Sequence, residues 1–329
     1  MDHWGQGGEG ATSAWRRTAR AFAAAVESGR LDLPLPGAGA TRERWAALAD
    51  LAGEDLSLAR LCEGHADAVA ILAELGGPRP EPGSRWGVWA ANPPGPSVTA
   101  SRDADGWLLD GTKQYCSGAR ICTSVLVTAA ADDGARLFAV DTELLEPDVS
   151  SWPATGMAGS DTLDVGFARV PAVPVGPPGG YTDRAGFSHG GVGVAAVWYG
   201  GARGVARTLL SAAAKRDIGP HALAHLGAVD LGLRTVRAAL DLSADEIDAD
   251  PGDLRHEGPL RALRVRALTE AVAADVLTRT GRALGAGPLG HDEAHSRAVA
   301  DLTVYLRQHH AERDLERLGE MTVERGAAW

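Results

Sequence analysis

Residues 106–119 read Gly106-Trp107-Leu108-Leu109-Asp110-Gly111-Thr112-Lys113-Gln114-Tyr115-Cys116-Ser117-Gly118-Ala119, and this stretch decides the fold class. A short apolar run, Trp107–Leu109, is bounded by Gly106 on one side and Asp110-Gly111 on the other. Apolar residues closed off by glycine and aspartate mark a brief strand between turns. Further runs of this kind lie around it, at Trp86–Ala90, Ser124–Thr128, Arg136–Val140 and Asp164–Phe167. No helical pattern intervenes from Arg85 to about Val175, which predicts an antiparallel sheet or barrel. A Pro/Gly-rich connector is expected from Pro171 to Gly180.

Outward from this section the period changes. From Ala11 to about Gly76 the pattern is helical, with Leu58, Leu61, His65, Ala68 and Leu72 at three- and four-residue steps. Gly76, Gly77, Pro78 and Pro80 stop it. On the other side, Ala195–Arg216, Ala222–Ile247, Gly258–Leu284 and Glu293–Leu318 are long and nearly free of breakers. Four such helices can close a bundle. The predicted fold is α+β: an N-terminal helical section over residues 1–80, a β-domain over 81–180 and a C-terminal four-helix bundle over 181–329. Met1–Gly10, polar and glycine-rich, is expected to be a disordered tail.

Composition narrows the function. Acidic residues outnumber basic ones and the formal net charge is -11, which argues against nucleic acid as a partner. Cys62, Cys116 and Cys122 form no metal-ligand spacing and no disulfide framework, so no metal is expected. There is no signal-peptide pattern and no apolar run of membrane-spanning length, so the expected location is cytoplasmic.

A second stretch, Gly156-Met157-Ala158-Gly159-Ser160-Asp161-Thr162-Leu163-Asp164-Val165-Gly166-Phe167 with Val170-Pro171, stands downstream of the first. The first resembles the "G-x-x-L-N-G-x-K-x-W-I-T/S-N-A" strand and turn of the acyl-CoA dehydrogenase superfamily. The second resembles that superfamily's "G-M-R-G-T-D-T-x-D-V-x-F-x-x-V-x-V-P" segment. The resemblance implies an FAD flavoprotein that assembles as a homodimer or homotetramer and acts on a small-molecule substrate such as an acyl thioester, with the electron acceptor left open. It places Tyr115 against the flavin, Ser117 near its N5 and O4 atoms, and the backbone at Ala90 and Ala91 at its pyrimidine edge. A flavin ring needs just such a flat apolar wall and hydrogen-bond donors at its polar edge. Arg216 is similar to an arginine that reaches the cofactor pyrophosphate, and Gly285 and Gly287 to a turn approaching the same cofactor. Phe187 and Ser188 are expected to line the substrate cavity. The chain departs from the family pattern at Ala91–Ser97, where the Gly-Ser-Asp element is absent.

A second departure bears on the reaction. The family's usual catalytic glutamate corresponds to His309 in an ungapped register and to His310 after a slip of one residue. If the segment is helical, Leu302, Leu306 and His309 share a face, with His310 at its margin. Asp314, four residues after His310, can orient an imidazole. The leading expectation is α,β-dehydrogenation with His309 or His310 as base. Two others stand beside it: a flavin monooxygenase of the same fold using the same histidines, and a non-catalytic homologue acting as a partner subunit.

Other patterns carry less. Gly186-Phe187-Ser188-His189-Gly190 has hydrolase-elbow spacing but follows loop composition rather than a buried strand. Gly200-Gly201-Ala202-Arg203-Gly204 lies within a helical pattern and is no dinucleotide fingerprint. His221 and His225 read as surface histidines, and the acidic group at Asp245–Asp253 as a solvated helix end.

Overall fold

The computed structural model describes residues 7–95 and 97–326, with side chains from residue 14 onward. The tail expectation for Met1–Gly10 falls outside these residues up to position 6; Gly7 opens helix α1 (Gly7–Glu27). Two compact units emerge. The first takes Met1–Leu33 and Arg60–Phe187, the second Pro34–Ala59 and Ser188–Trp329. The helical N-terminal region is thus divided: α1 and most of α3 (Leu56–Leu75) belong to the first unit, while α2 (Thr41–Glu54) belongs to the second.

The first unit is built on seven strands: β1 (Trp86–Trp89), β2 (Val98–Arg102), β3 (Trp107–Cys116), β4 (Ser124–Ala131), β5 (Gly134–Asp141), β6 (Glu146–Asp148) and β7 (Leu163–Val175). The sheet runs β1-β4-β2-β3-β7-β5, and β5 pairs back onto β4, so β4, β2, β3, β7 and β5 form a closed ring. The ring is mixed rather than wholly antiparallel, because β1 and β2 both pair with β4 in parallel. The β2–β3 hairpin separates β1 from β4 in sequence and lets the two run side by side in one direction. β7 also continues through Pro171 and Pro174, opposite Leu108 and Phe138, where a connector was expected. Proline's fixed φ suits extended backbone, so proline alone ends a strand too early in a sequence reading. Ala68, Ile71 and Leu72 of α3 pack with Trp86, Leu126, Leu137, Ala139 and Val175, which forms the unit's apolar core.

Gly111 shows how tightly the motif strand is built. Its φ of +121° is open to glycine, and a Cβ there would fall on the carbonyl oxygen of Ser97. Within the same strand, Lys113 is buried and donates to the Thr128 carbonyl and hydroxyl at 2.9 and 2.8 Å. Burial pushes its ammonium below the ordinary lysine value.

A short helix, α4 (Gly180–Asp183), follows β7 in the first unit, and the second unit is helical: α2, α5 (Ala185–Lys215), α6 (Gly219–Ala249), α7 (Gly258–Leu284), α8 (Gly287–His291), α9 (Glu293–Tyr305) and α10 (Glu312–Glu324). α5 begins well before Ala195, because Gly190, Gly191 and Gly193 read as loop but lie within the helix. The glycine run at residues 200–204 is a packing device. A Cβ on Gly200 would fall on the Ala49 carbonyl, and one on Gly204 would crowd the Gly53 carbonyl at 3.1 Å, so α2 and α5 meet backbone to backbone. The acidic stretch near residue 250 is structural rather than merely solvated. Asp248 accepts from Gly39 N, Thr41 N and Thr41 Oγ1 at the start of α2, and Asp250 and Asp253 accept backbone N–H groups of the α6–α7 turn. Among the described residues no helix is long and apolar enough to cross a membrane, and no group of side chains could hold a metal ion.

Candidate functional site

The two motif stretches meet in the first unit. Gly118 N donates to Ser160 O at 2.8 Å and Ala119 N to Asp161 O at 3.1 Å. Ser117 Oγ, Thr162 Oγ1 and Ser160 Oγ form a hydroxyl chain with steps of 2.9 and 2.8 Å. Buried Trp89 of β1 donates its indole N–H to Ser117 O at 2.9 Å. Arg120 pairs with the buried Asp161 carboxylate and covers Trp15 at 4.2 Å from the ring centroid. The turn is therefore held by hydrogen bonds from two segments, β1 and residues 160–162, and by the stacking of Arg120 on Trp15 of α1.

Tyr115 sits on top of this frame. Its φ of +60° is left-handed, a conformation that costs a non-glycine residue about 1–2 kcal/mol. The ring is 52% exposed and touches Trp152 edge-on at 6.4 Å. A strained backbone that holds a large aromatic ring out into solvent is typical of a ligand-facing position. Ala90 is half-buried and Ala91 exposed, just after β1. Cys116 is sealed beneath the turn, where burial pushes its thiol well above the ordinary value and leaves it inert. Phe187 is exposed and lies edge-on to Tyr181 at 5.4 Å.

The second unit holds the remaining candidates. The predicted single helix Glu293–Leu318 is broken: α9 ends at Tyr305, a 3-10 turn covers Leu306–Gln308, and His309 is extended. The break has a local cause. Ala311 takes a positive φ of 49°, and Asp314 accepts the His310 backbone N–H at 2.9 Å, so its carboxylate serves the first turn of α10. The buried face survives the break, since Leu302, Leu306 and His309 all point inward.

His309 is defined atom by atom. Ala311 N–H donates to its Nδ1 at 3.2 Å, which places the proton of the neutral ring on Nε2. Nε2 is buried, has no hydrogen-bond partner, and lies 3.7 Å from Asp314 Oδ2. Trp198 of α5 stands edge-on at 6.5 Å between centroids, its own buried indole N–H likewise without a partner. Burial is the main cause that pushes the His309 imidazole below its ordinary value; Asp314 and Glu270 oppose it, and Arg266 and His310 reinforce it. His310 is exposed, with Nδ1 3.4 Å from Asp314 Oδ1.

The other predicted residues are more open. Arg216 is exposed just beyond α5. Gly285 caps α7 with a φ of +67°, Gly287 starts α8, and a Cβ on either would meet nothing within 4 Å. Ser188 lies inside α5, so the elbow spacing around it has no strand–turn–helix context; its neighbour His189 is buried and bonds Pro251 O at 3.0 Å. Within the first unit the structure joins Tyr115 and Ser117 in one turn, and within the second it joins His309 and His310 around Asp314. Sequence reasoning passed over Trp198 and Arg266, whose only signal is an apolar helix and a lone arginine. It also passed over a cavity of about 460 Å³ lined by α5, α9 and the α2–α3 junction, including Arg207, Lys215 and His295. None of the predicted residues lines that cavity.

No protein-family model matches the chain, and no curated protein matches it in sequence. Solved structures do match in fold. Dibenzothiophene monooxygenase TdsC from Paenibacillus sp. A11-2 superposes with a TM-score of 0.73 at 20% identity, over 96% of this chain and 97% of that one. The same protein has been solved with FMN and indole. KijD3 in complex with dTDP gives a TM-score of 0.79 at 19% identity, over 95% and 92% of the two chains. Methanesulfinate monooxygenase MsuC from Pseudomonas fluorescens gives 0.72 at 17% identity, over 96% and 97%. These likenesses span nearly the whole chain and establish the acyl-CoA dehydrogenase-like fold that the two motifs implied.

Proposed function

We propose that the protein is a flavin-dependent monooxygenase that takes its flavin as FMN and acts on a small-molecule substrate. The observation that carries this reading is the tautomer of His309. The family's usual dehydrogenase base at this position is a carboxylate, whereas this chain holds a neutral imidazole whose buried Nε2–H makes no hydrogen bond. Such a group is a hydrogen-bond donor ready for an oxygen atom of a bound molecule. The solved neighbours named above as monooxygenases favour oxygen chemistry over the dehydrogenation expected at first, and the FMN complex of TdsC favours FMN over FAD.

The residues present fit a flavin. Tyr115 offers a half-exposed aromatic wall, and the Ser117–Thr162–Ser160 chain offers a hydroxyl donor beside it. Ala90 and Ala91 of the same unit would supply backbone groups, and Phe187 an apolar ring; in the helical unit Arg216, the Gly285–Gly287 turn and Ser188 stand as separate candidates for phosphate or substrate contacts. A bound reduced flavin would supply the two electrons that dioxygen needs. His309 would donate a hydrogen bond from its neutral Nε2–H to an oxygen atom, with Asp314 and exposed His310 beside it as the groups that exchange protons with solvent. In the same reading α5, α6, α7 and α9 make up a four-helix bundle, and the assembly is a homo-oligomer.

The test is a pair of titrations, with FMN and FAD, each oxidised and photoreduced under nitrogen, followed by admission of oxygen. Tighter binding of reduced FMN, with hydrogen peroxide released faster from His309→Ala, is the expected result. Stoichiometric FAD that is bleached anaerobically by an acyl thioester would restore the dehydrogenase reading. No flavin affinity in any form would leave the non-catalytic partner.

A further inference from the structure

Arg266 of α7 stands where three features converge. Its guanidinium covers the Trp198 indole at 4.6 Å from the ring centroid. Nη1 donates to Gly191 O and Nη2 to Gln308 O, each at 3.1 Å. One turn further along α7, Glu270 holds Arg307 at 2.7 Å. Arg307 and Gln308, the two residues before His309, are therefore both tied to α7, and Arg266 also ties in α5 through the Gly191 carbonyl. A planar guanidinium can reach two carbonyls while lying flat on an aromatic face, which an ammonium cannot do.

We infer that Arg266 is a positioning residue: it fixes the turn that presents His309, holds the imidazole edge-on to Trp198, and sets the direction of Nε2–H. The inference rests on the role proposed for His309 and deepens it. The charged or titratable groups around that imidazole are His310 on its own segment, Asp314 on α10, and Glu270 and Arg266 on α7; Trp198 of α5 is uncharged. Arg266 works with burial against protonation, while the two carboxylates favour it. Losing the guanidinium removes one depressing charge and also frees the turn.

Histidine nitrogen NMR across pH 5–8, with amide exchange over residues 306–311, tests this without flavin or turnover. In R266M the His309 titration should move to higher pH, the Nε2–H tautomer should become mixed, and exchange at residues 308–311 should quicken tenfold or more. R266K keeps the charge and one bond, so its titration should return toward wild type while exchange stays intermediate. Wild-type titration and exchange in R266M would overturn the inference. Should R266M fail to fold, R266K decides alone, and unaltered exchange there is the overturning result. A shifted titration in R266M alongside full activity in His309→Ala would keep the positioning role and remove the catalytic one.

Discussion

The backbone N–H of Ala311 donates to His309 Nδ1 at 3.2 Å, and this single bond fixes which face of the imidazole carries the proton. His309→Ala is expected to lower coupled turnover by about 10²–10³, the range for one preorganised hydrogen-bond donor. His310→Ala, at an exposed ring, should cost less than about a tenth of that on the same scale. Steady-state product formation with flavin occupancy measured in parallel separates the two; equal losses would remove the distinction drawn between the residues.

The protonation of His309 gives a pH dependence with a definite sign. Burial favours the neutral ring, so the Nε2–H tautomer, its Nδ1 accepting from the Ala311 N–H, persists below the ordinary histidine range. The kcat/KM profile should be flat through neutrality and fall only on the acid side of about pH 6.5. A limb that rises with pH above 7 and tracks His309 would contradict this.

His65 makes a stability prediction. Trp86 N–H donates to its Nδ1 at 3.1 Å, and burial pushes the imidazole down to about 4 against the opposing charge of Asp32. As pH falls from 6.5 toward 4 the unfolded chain takes up a proton that the folded chain refuses, so stability is lost across that window. The loss amounts to about 3 kcal/mol, at roughly 1.4 per unit. Urea melts at pH 7 and pH 4.5 should show it. His65→Asn, which keeps an acceptor near Nδ1 and has no proton to gain, should flatten the difference.

Tyr115 and Ser117 separate binding from stability. Tyr115→Gly relieves a left-handed backbone and removes an exposed ring, so it should melt above Tyr115→Ala by about 1 kcal/mol while both lose flavin affinity. Ser117→Ala should cost about 1 kcal/mol of stability through its bond to Thr162. Its affinity for reduced FMN should fall tenfold or more. Unchanged flavin binding in all three variants would move the site elsewhere.

Gly200→Ala places a methyl group on the Ala49 carbonyl where two helix backbones touch. An expected loss of at least about 2–3 kcal/mol follows from overpacking a rigid contact. Gly227→Ala, at a helical position with nothing within 4 Å, is the control and should stabilise slightly.

The strand-rich middle was legible from its short apolar runs and the turn at Gly106, but Asp110-Gly111, read as a second turn, lies inside β3, where the positive φ of Gly111 and a register shift bend the strand without ending it. Both motif stretches proved to be neighbours in space through Gly118, Ala119, Ser160 and Asp161. Strand ends were misjudged at Pro171 because an extended proline and a terminating proline look alike in sequence. The helix break before His309 was hidden for a different reason: it depends on a positive φ at Ala311 and a carboxylate three residues later, neither of which disturbs the apolar period. Trp198 and Arg266 acquire meaning only once α5 and α7 are packed, which no local pattern encodes.

The backbone contact between α2 and α5 has a consequence during synthesis. Trp45, Leu48 and Leu51 are buried in the finished protein, yet the helix that carries Gly200 emerges from the ribosome roughly 150 residues later. At about 5–20 residues per second, that leaves α2 without its mate for about 8 to 30 seconds. During that interval its apolar face is a natural target for holdase chaperones and, at high expression, for self-association of nascent chains.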